Sequence, residues 1–207
     1  KNFWLFFLLS ALTLYTLDTD PVRAATSTIS TCGELQSVST TITDHTYLLL
    51  NDIDCAGGSF TPITDFHATL DGDGFTIRNV SIPQPTPFIN YQGIFRSLTG
   101  ATIRNVHIRN ASVVGNFQMG ILAAGASLSK ISNVTIQGTA QSTASLSVLG
   151  GVVGKTWNTV LENVSTTVSL QGYSLIGGLI GEVSESTTVQ FSSAHGTINA
   201  SGNDIGG

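Results

Sequence analysis

Charge is scarce in this chain. Only 8 Lys and Arg and 13 Asp and Glu occur in 207 residues, 10% of the total, where a soluble domain ordinarily carries about 25%. The basic residues form no run. A nucleic-acid partner, which requires clustered cations to displace counterions, is therefore excluded. Glu and Lys, the usual surface residues of helices, are few. Gly, Ser, Thr, Asn, Val and Ile take their place, a composition that suits strands and tight corners. His45, His67, His107 and His195 are dispersed without metal-ligand spacing, and no His-Glu-x-x-His pattern occurs. No cofactor is called for.

What is present is a recurring phrase. It reads Ile77-Arg78-Asn79-Val80-Ser81-Ile82, then Ile103-Arg104-Asn105-Val106-His107-Ile108, then Ile131-Ser132-Asn133-Val134-Thr135-Ile136. Leu161-Glu162-Asn163-Val164-Ser165-Thr166 is a weaker copy, and Val189-Gln190-Phe191-Ser192-Ser193-Ala194 a remnant. Positions 79, 105, 133, 163 and 191 are 26, 28, 30 and 28 residues apart. That period predicts a stacked-coil solenoid. Within the phrase the apolar alternation changes phase at Asn, so the chain must bend there, and Asn tolerates the left-handed backbone a corner needs. Stacking places Asn79, Asn105, Asn133 and Asn163 above one another, with their amides as a hydrogen-bonded ladder.

A second element follows each phrase: Gly93-Ile94-Phe95-Arg96, Gly120-Ile121-Leu122-Ala123, Gly150-Gly151-Val152-Val153-Gly154, Gly177-Gly178-Leu179-Ile180-Gly181 and a final Gly206-Gly207. Glycines bracketing a few apolar residues predict a short buried strand between tight corners. These brackets resemble the GLUG motif, which recurs in secreted adhesin-like proteins and in N-terminal parts of some immunoglobulin-A-cleaving metallopeptidases. The segment Leu70-Asp71-Gly72-Asp73-Gly74-Phe75-Thr76-Ile77-Arg78-Asn79-Val80 resembles what usually precedes it. The resemblance covers about residues 52–207 and implies an all-β, right-handed parallel β-helix of about five coils. Arg96 and Ala123 stand where a closing Gly is expected. The peptidase chemistry of such proteins lies in a separate zinc domain.

The expected organisation is a signal peptide over residues 1–24, an N-terminal cap and first strands with a disulfide over 25–70, opening on a polar lead-in at 25–31, and β-helix coils over 71–207 that stop in mid-repeat. The apolar stretch from Phe3 to Leu17 and the small residues Val22 and Ala24 carry the leader assignment. An anchor wants about 20 apolar residues and would not be followed at once by Asp18 and Asp20. No other segment is apolar enough to span a membrane. Secretion makes Cys32 and Cys55 a candidate disulfide, the other reading being two buried thiols.

Asp52, Asp54, Asp71 and Asp73 are the dense carboxylates. They suit turns of a solvated cap, a calcium site, or an acid–base pair for glycoside cleavage. Arg78 and Arg104 share a slot in successive coils, where two like charges serve solubility or meet an anionic sugar. Sequons fall at Asn79, Asn110, Asn133, Asn163 and Asn199. Asn110 and Asn199 are the expected glycosylation sites, the others being corner residues. The function expected is a non-catalytic, extracellular or cell-surface, adhesin-like rod whose partner is a glycan or another surface. A polysaccharide lyase or glycoside hydrolase on the same scaffold is one alternative. An ice-binding solenoid is the other, and no Thr-x-Thr ladder is evident for it.

Overall fold

The computed structural model describes residues 25–84, 90–202 and 205–206. The expected leader lies outside them. Parallel strands wind into a β-solenoid of about five turns with three sheets around one apolar interior. The largest sheet carries the recurring phrase in its long strands Thr102–Gly115, Lys130–Ser142 and Val160–Gly172. A five-stranded sheet stacks Tyr91–Gln92, Gln118–Gly120, Val148–Gly150, Ile176–Gly177 and Ile205–Gly206. A four-stranded sheet stacks Phe95–Thr99, Ala123–Ser127, Val153–Trp157 and Ile180–Ser184. Among the described residues, no helix is long and apolar enough to cross a membrane.

Equivalent side chains form internal columns. Tyr47, Leu70, Ile103, Ile131 and Leu161 are in register and buried. Ile53, Ile77, Ile108 and Ile136 make a second column, and Ile82, Val113, Ala140 and Leu170 a third. Burial of these aliphatic rows is what holds the coils together, each buried side chain contributing about 2 kcal/mol of transfer free energy. Near the N-terminal end the fill is aromatic: Phe66 packs between Tyr47 and Phe95, with ring centroids 6.0 and 4.9 Å apart.

The register corrects the sequence reading at one point. Ile77 pairs with Ile108, not with Ile103. The first copy of the phrase sits five residues further along its coil than the others. Asn79 consequently belongs with Asn110, and there are two corner columns rather than one. In the first, Asp71, Asn105, Asn133 and Asn163 follow in order. Each Asn amide donates to the side chain one coil before it, at 3.0, 2.9 and 2.9 Å. In the second, Asn79 donates to Asp54 at 2.8 Å and Asn110 to Asn79 at 2.6 Å. All five Asn have left-handed φ between 52° and 60°. The strand Thr102–Gly115 carries both corners, and its register against the next coil shifts between Ile136 and Gly138 as a bulge.

Breaking the ladder at its middle should be measurable. Asn133→Ala removes two amide hydrogen bonds and forces Ala into φ 54°. The expected loss is about 2 kcal/mol. Asn133→Gly, which accepts that backbone without strain, should lose about half as much. Paired chemical-denaturation curves give the difference.

The N-terminal segment also departs from expectation. Residues 25–31 read as a polar lead-in, yet Ala25–Ile29 is a strand in register with His45–Leu49. Only Ile29 reaches the interior, which leaves Ala25, Thr26, Ser27 and Thr28 outside. The short helix Cys32–Gln36 then closes the end, capped by Thr31 and Glu34 in a reciprocal box, with Leu35 fully buried. Cys32 and Cys55 are disulfide-bonded, with Cα atoms 5.2 Å apart. Closing this 23-residue separation contributes about 3 kcal/mol in the chain-entropy account.

The glycine brackets are the corners between the two smaller sheets. Gly120, Gly150, Gly177 and Gly206 stack in register. The closing position runs through Arg96, Ala124, Gly154 and Gly181, since Phe95, Ala123, Val153 and Ile180 are the paired residues before it. Ala124, not Ala123, therefore replaces the Gly. At Gly154 and Gly181 a Cβ would meet the backbone of Met119 and Leu149, each in the preceding strand of the five-stranded sheet. That sheet starts at Tyr91–Gln92. Among the described residues no strand of it precedes Arg96, so a long side chain has room there.

Candidate functional site: an aromatic cleft on the four-stranded sheet

The outward side chains of the four-stranded sheet lie in two rows. Ser97, Gly125, Lys155 and Glu182 form one, and Thr99, Ser127, Trp157 and Ser184 the other. Gly125 leaves a hollow in the first row. A Cβ there would lie 3.1 Å from Gln118 Nε2 and 3.7 Å from Trp157 Cζ3. The indole of Trp157 therefore leans over the gap, while Lys155 Nζ sits 5.2 Å from its ring centroid and pairs with Glu182. The Gln118 carboxamide is fixed by donating to Ala124 O at 2.9 Å.

Around this hollow runs an open cleft of about 430 Å³. Its lining includes Trp157, Tyr91, Arg96, Asp65, Gln118 and Ser97. Tyr91 is 46% exposed. Asp65, at φ 43°, accepts a hydrogen bond from Ser97 Oγ. Arg96 is half-buried, and its Nε is fully buried with no hydrogen-bond partner among the described residues. The cleft thus combines two aromatic faces, a guanidinium, a carboxylate, a fixed amide and hydroxyl groups. Its volume falls within the range of small-molecule sites.

Apart from Arg96, the charged residues singled out in the sequence lie elsewhere, and two ion pairs form among them. Arg78 Nε donates to Asp54 at 3.0 Å and Arg104 Nε to Asp71 at 2.8 Å. Neither Arg is left bare for an anionic sugar. The four dense carboxylates do not converge as a ligand set. Asp52 accepts from Thr76 N, Asp54 from Ala56 N, Arg78 and Asn79, and Asp71 from Asp73 N, Arg104 and Asn105. Among the described residues no group of three or more His, Cys, Asp or Glu is placed to hold a metal. Asp54 and Asp71 begin the two Asn ladders, a role that needs an acceptor at the foot of each.

These hydrogen bonds shift the two acids. The Asn79 amide, the Ala56 N–H and Arg78 lower Asp54 from 3.8 to about 2. For Asp71 burial works upward, but the Asp73 N–H, Asn105 and Arg104 outweigh it and hold the acid below its ordinary value. A lowered folded value means stability that is fully present above the unfolded value and lost as pH falls through the folded one. Stability should therefore decline as pH falls from 3.8 toward about 2. Asp71→Asn should flatten that decline. Circular dichroism along an acid titration reads both.

Of the expected glycosylation sites, Asn199 points outward from the strand Ser193–Ala200. Asn110 is exposed, but its amide donates within the second ladder. Asn133 and Asn163 are exposed as well, so corner position does not bury them. The outer face of the largest sheet carries a hydroxyl row, Ser81, Ser112, Thr139, Ser169 and Thr197. Sequence inspection missed it by looking for Thr pairs within one strand rather than across coils. It also missed the cleft. The one local signal was Arg96 at a Gly position.

No family model matches the chain. The GLUG resemblance rests on the glycine brackets and the segment before them. The chain is 36% identical over 161 residues to Halomucin of Haloquadratum walsbyi, a match that takes in 68% of this chain and 2% of that protein. The chain spans about 2% of the length of this curated relative. Its structure is similar to the crystal structure of a putative immunoglobulin A1 protease from Bacteroides ovatus. The TM-score is 0.56 at 20% identity, over 84% of this chain and 67% of the other. A likeness at that identity establishes the shared β-solenoid fold.

Proposed function

We propose that the chain is an adhesive segment of an extracellular or cell-surface β-solenoid and that it binds a glycan in the cleft over Gly125. The observation that carries this reading is the Trp157 indole leaning over a hollow lined by Tyr91, Gln118, Ser97 and Arg96. Sugar rings present C–H faces to aromatic side chains and hydroxyls to planar polar groups, and both are supplied here. Similarity to a protein named as a mucin fits the surface setting. The leader expected over residues 1–24 and the Asn199 sequon fit it too.

A binding role is favoured over catalysis because Asp65 is the one carboxylate that lines the cleft among the described residues. Glycoside cleavage by the common mechanisms uses a pair. Titration calorimetry against an oligosaccharide panel tests the reading. Trp157→Ala should weaken binding of any positive glycan about tenfold, the equivalent of roughly 1.4 kcal/mol. Unchanged affinity in that variant, or cleavage of the glycan during incubation, would contradict it.

The hydroxyl row on the largest sheet supports a second reading, ice binding, since successive members repeat at the inter-strand spacing of about 4.8 Å. The next row on that face contains Gln137 and His195, and the row beyond it His107, which break the regularity. Thermal hysteresis at millimolar protein separates the two.

A further inference from the structure

We infer that the cleft is selective for a sugar residue bearing a single oxyanion, a carboxylate or a sulfate ester, held by the Arg96 guanidinium in the cleft that Trp157 also lines. This rests on the glycan reading above and adds the class of sugar.

The argument begins with where the cations are. Among the described residues, Arg78, Arg104, Lys130 and Lys155 each pair with a carboxylate, namely Asp54, Asp71, Glu162 and Glu182. Arg96 and Arg109 form no such pair among these residues. Arg109 stands exposed on the largest sheet, open to solvent. Arg96 differs. Its Nε is enclosed and donates to nothing among the described residues. A buried donor without an acceptor is destabilising by a few kcal/mol, more for a charged group. An atom so enclosed is closed to a ligand as well; what the cleft offers an anion is the terminal Nη edge of the guanidinium, which is not among the enclosed, unpartnered atoms and can meet a carboxylate or sulfate in two parallel hydrogen bonds.

The chain could have avoided this arrangement. The two later coils have Gly154 and Gly181 at the position of Arg96, and the intervening one has Ala124. Arg occupies the one described coil of this sheet with no strand of the five-stranded sheet preceding it. The guanidinium and Trp157 line the same cleft although they come from coils two steps apart. Asp65 fixes the number of charges. It lines the cleft too and forms no ion pair with Arg96. Its carboxylate would repel a second anionic group, so a densely sulfated chain is disfavoured and a singly charged residue fits.

The test compares matched probes at low ionic strength: a glucuronate-terminated disaccharide, its glucose-terminated counterpart, the 6-sulfated counterpart, and a tetraglutamate peptide. The protein should bind the uronide or the sulfate ester about tenfold more tightly than the neutral disaccharide. Arg96→Gln should bring the charged probe down to the neutral one's affinity. Arg96→Lys, which keeps the charge but loses the fork, should fall between. Arg109→Gln should bind as the unaltered protein does. The two charged probes tell carboxylate from sulfate recognition. Equal binding of neutral and charged disaccharides, or affinity indifferent to Arg96→Gln, overturns the inference and leaves glycan binding standing. Tetraglutamate bound as tightly as the uronide also overturns it. Failure of every saccharide to bind overturns the glycan reading itself. Arg96→Lys guards against a folding defect in the Gln variant, with circular dichroism as the check.

Discussion

Gly150→Ala should be among the most damaging single substitutions, destabilising the protein by about 4 kcal/mol. The chain turns so sharply between the strands Val148–Gly150 and Val153–Trp157 that the Val153 carbonyl folds over Gly150 Cα. A Cβ at Gly150 would lie 1.9 Å from Val153 O, 2.6 Å from Val153 C and 2.9 Å from Gly181 N. Every obstructing atom is backbone. No side-chain rotation relieves the overlap, so the corner must open and the strand beyond it must move. Gly177, stacked on Gly150, faces the same obstruction from Ile180 O at 1.9 Å, which blocks any shared displacement. Gly33 is the matched control. It has nothing within 4 Å of its Cβ position and sits in the helix Cys32–Gln36, so Ala there should be neutral or slightly stabilising. Thermal melts of the two variants should differ by roughly ten degrees, taking about 3 °C per kcal/mol for a chain of this size.

Ile131→Ala should be comparably damaging, again about 4 kcal/mol. Ile131 is fully buried between Ile103 in the coil before and Leu161 in the coil after. Removing three carbons leaves a gap that neither neighbour can fill, because both are pinned by backbone pairing on the same register. In a solenoid each coil touches only its neighbours, so the loss falls on two interfaces at once. The denaturation curve should broaden as well as shift, with the two halves separating. Lys130→Ala next to it is the contrast: it breaks an exposed pair with Glu162 and should change stability by less than about 1 kcal/mol. A sharp transition at unchanged midpoint for Ile131→Ala would mean that the internal rows do not carry the fold.

The architecture was legible because its determinants are local and repeated. Ile, Asn and Val at fixed offsets state the column, the corner and the next column, and the glycine brackets state the other corner. The error at Asn79 has a physical origin. The same six residues satisfy either of two corners five positions apart in Thr102–Gly115, so identity of phrase does not fix position in the coil. The acids near the N-terminus were conspicuous as turn formers, and Asp54 and Asp71 do accept from N–H groups two residues on, but their place at the foot of the Asn ladders was hidden because those partners arrive from 24 to 34 residues away. The cleft was hidden for the same reason on a larger scale. Asp65, Arg96, Gln118 and Trp157 are remote in sequence and meet only when the coils stack. What did mark it was a breach of the repeat, a charged side chain in a slot otherwise filled by Gly or Ala.

The twin left-handed bends in Thr102–Gly115 bear on how such a molecule grows. A turn that accepts the recurrent hexapeptide in either of two settings acts as an adapter between reading frames. A duplicated or borrowed segment need not arrive with a fixed phase to be spliced onto it, since a five-residue offset still finds a docking amide. Lineages that lengthen or recombine such rods would meet fewer dead ends at this junction than at any of the single-bend turns that follow.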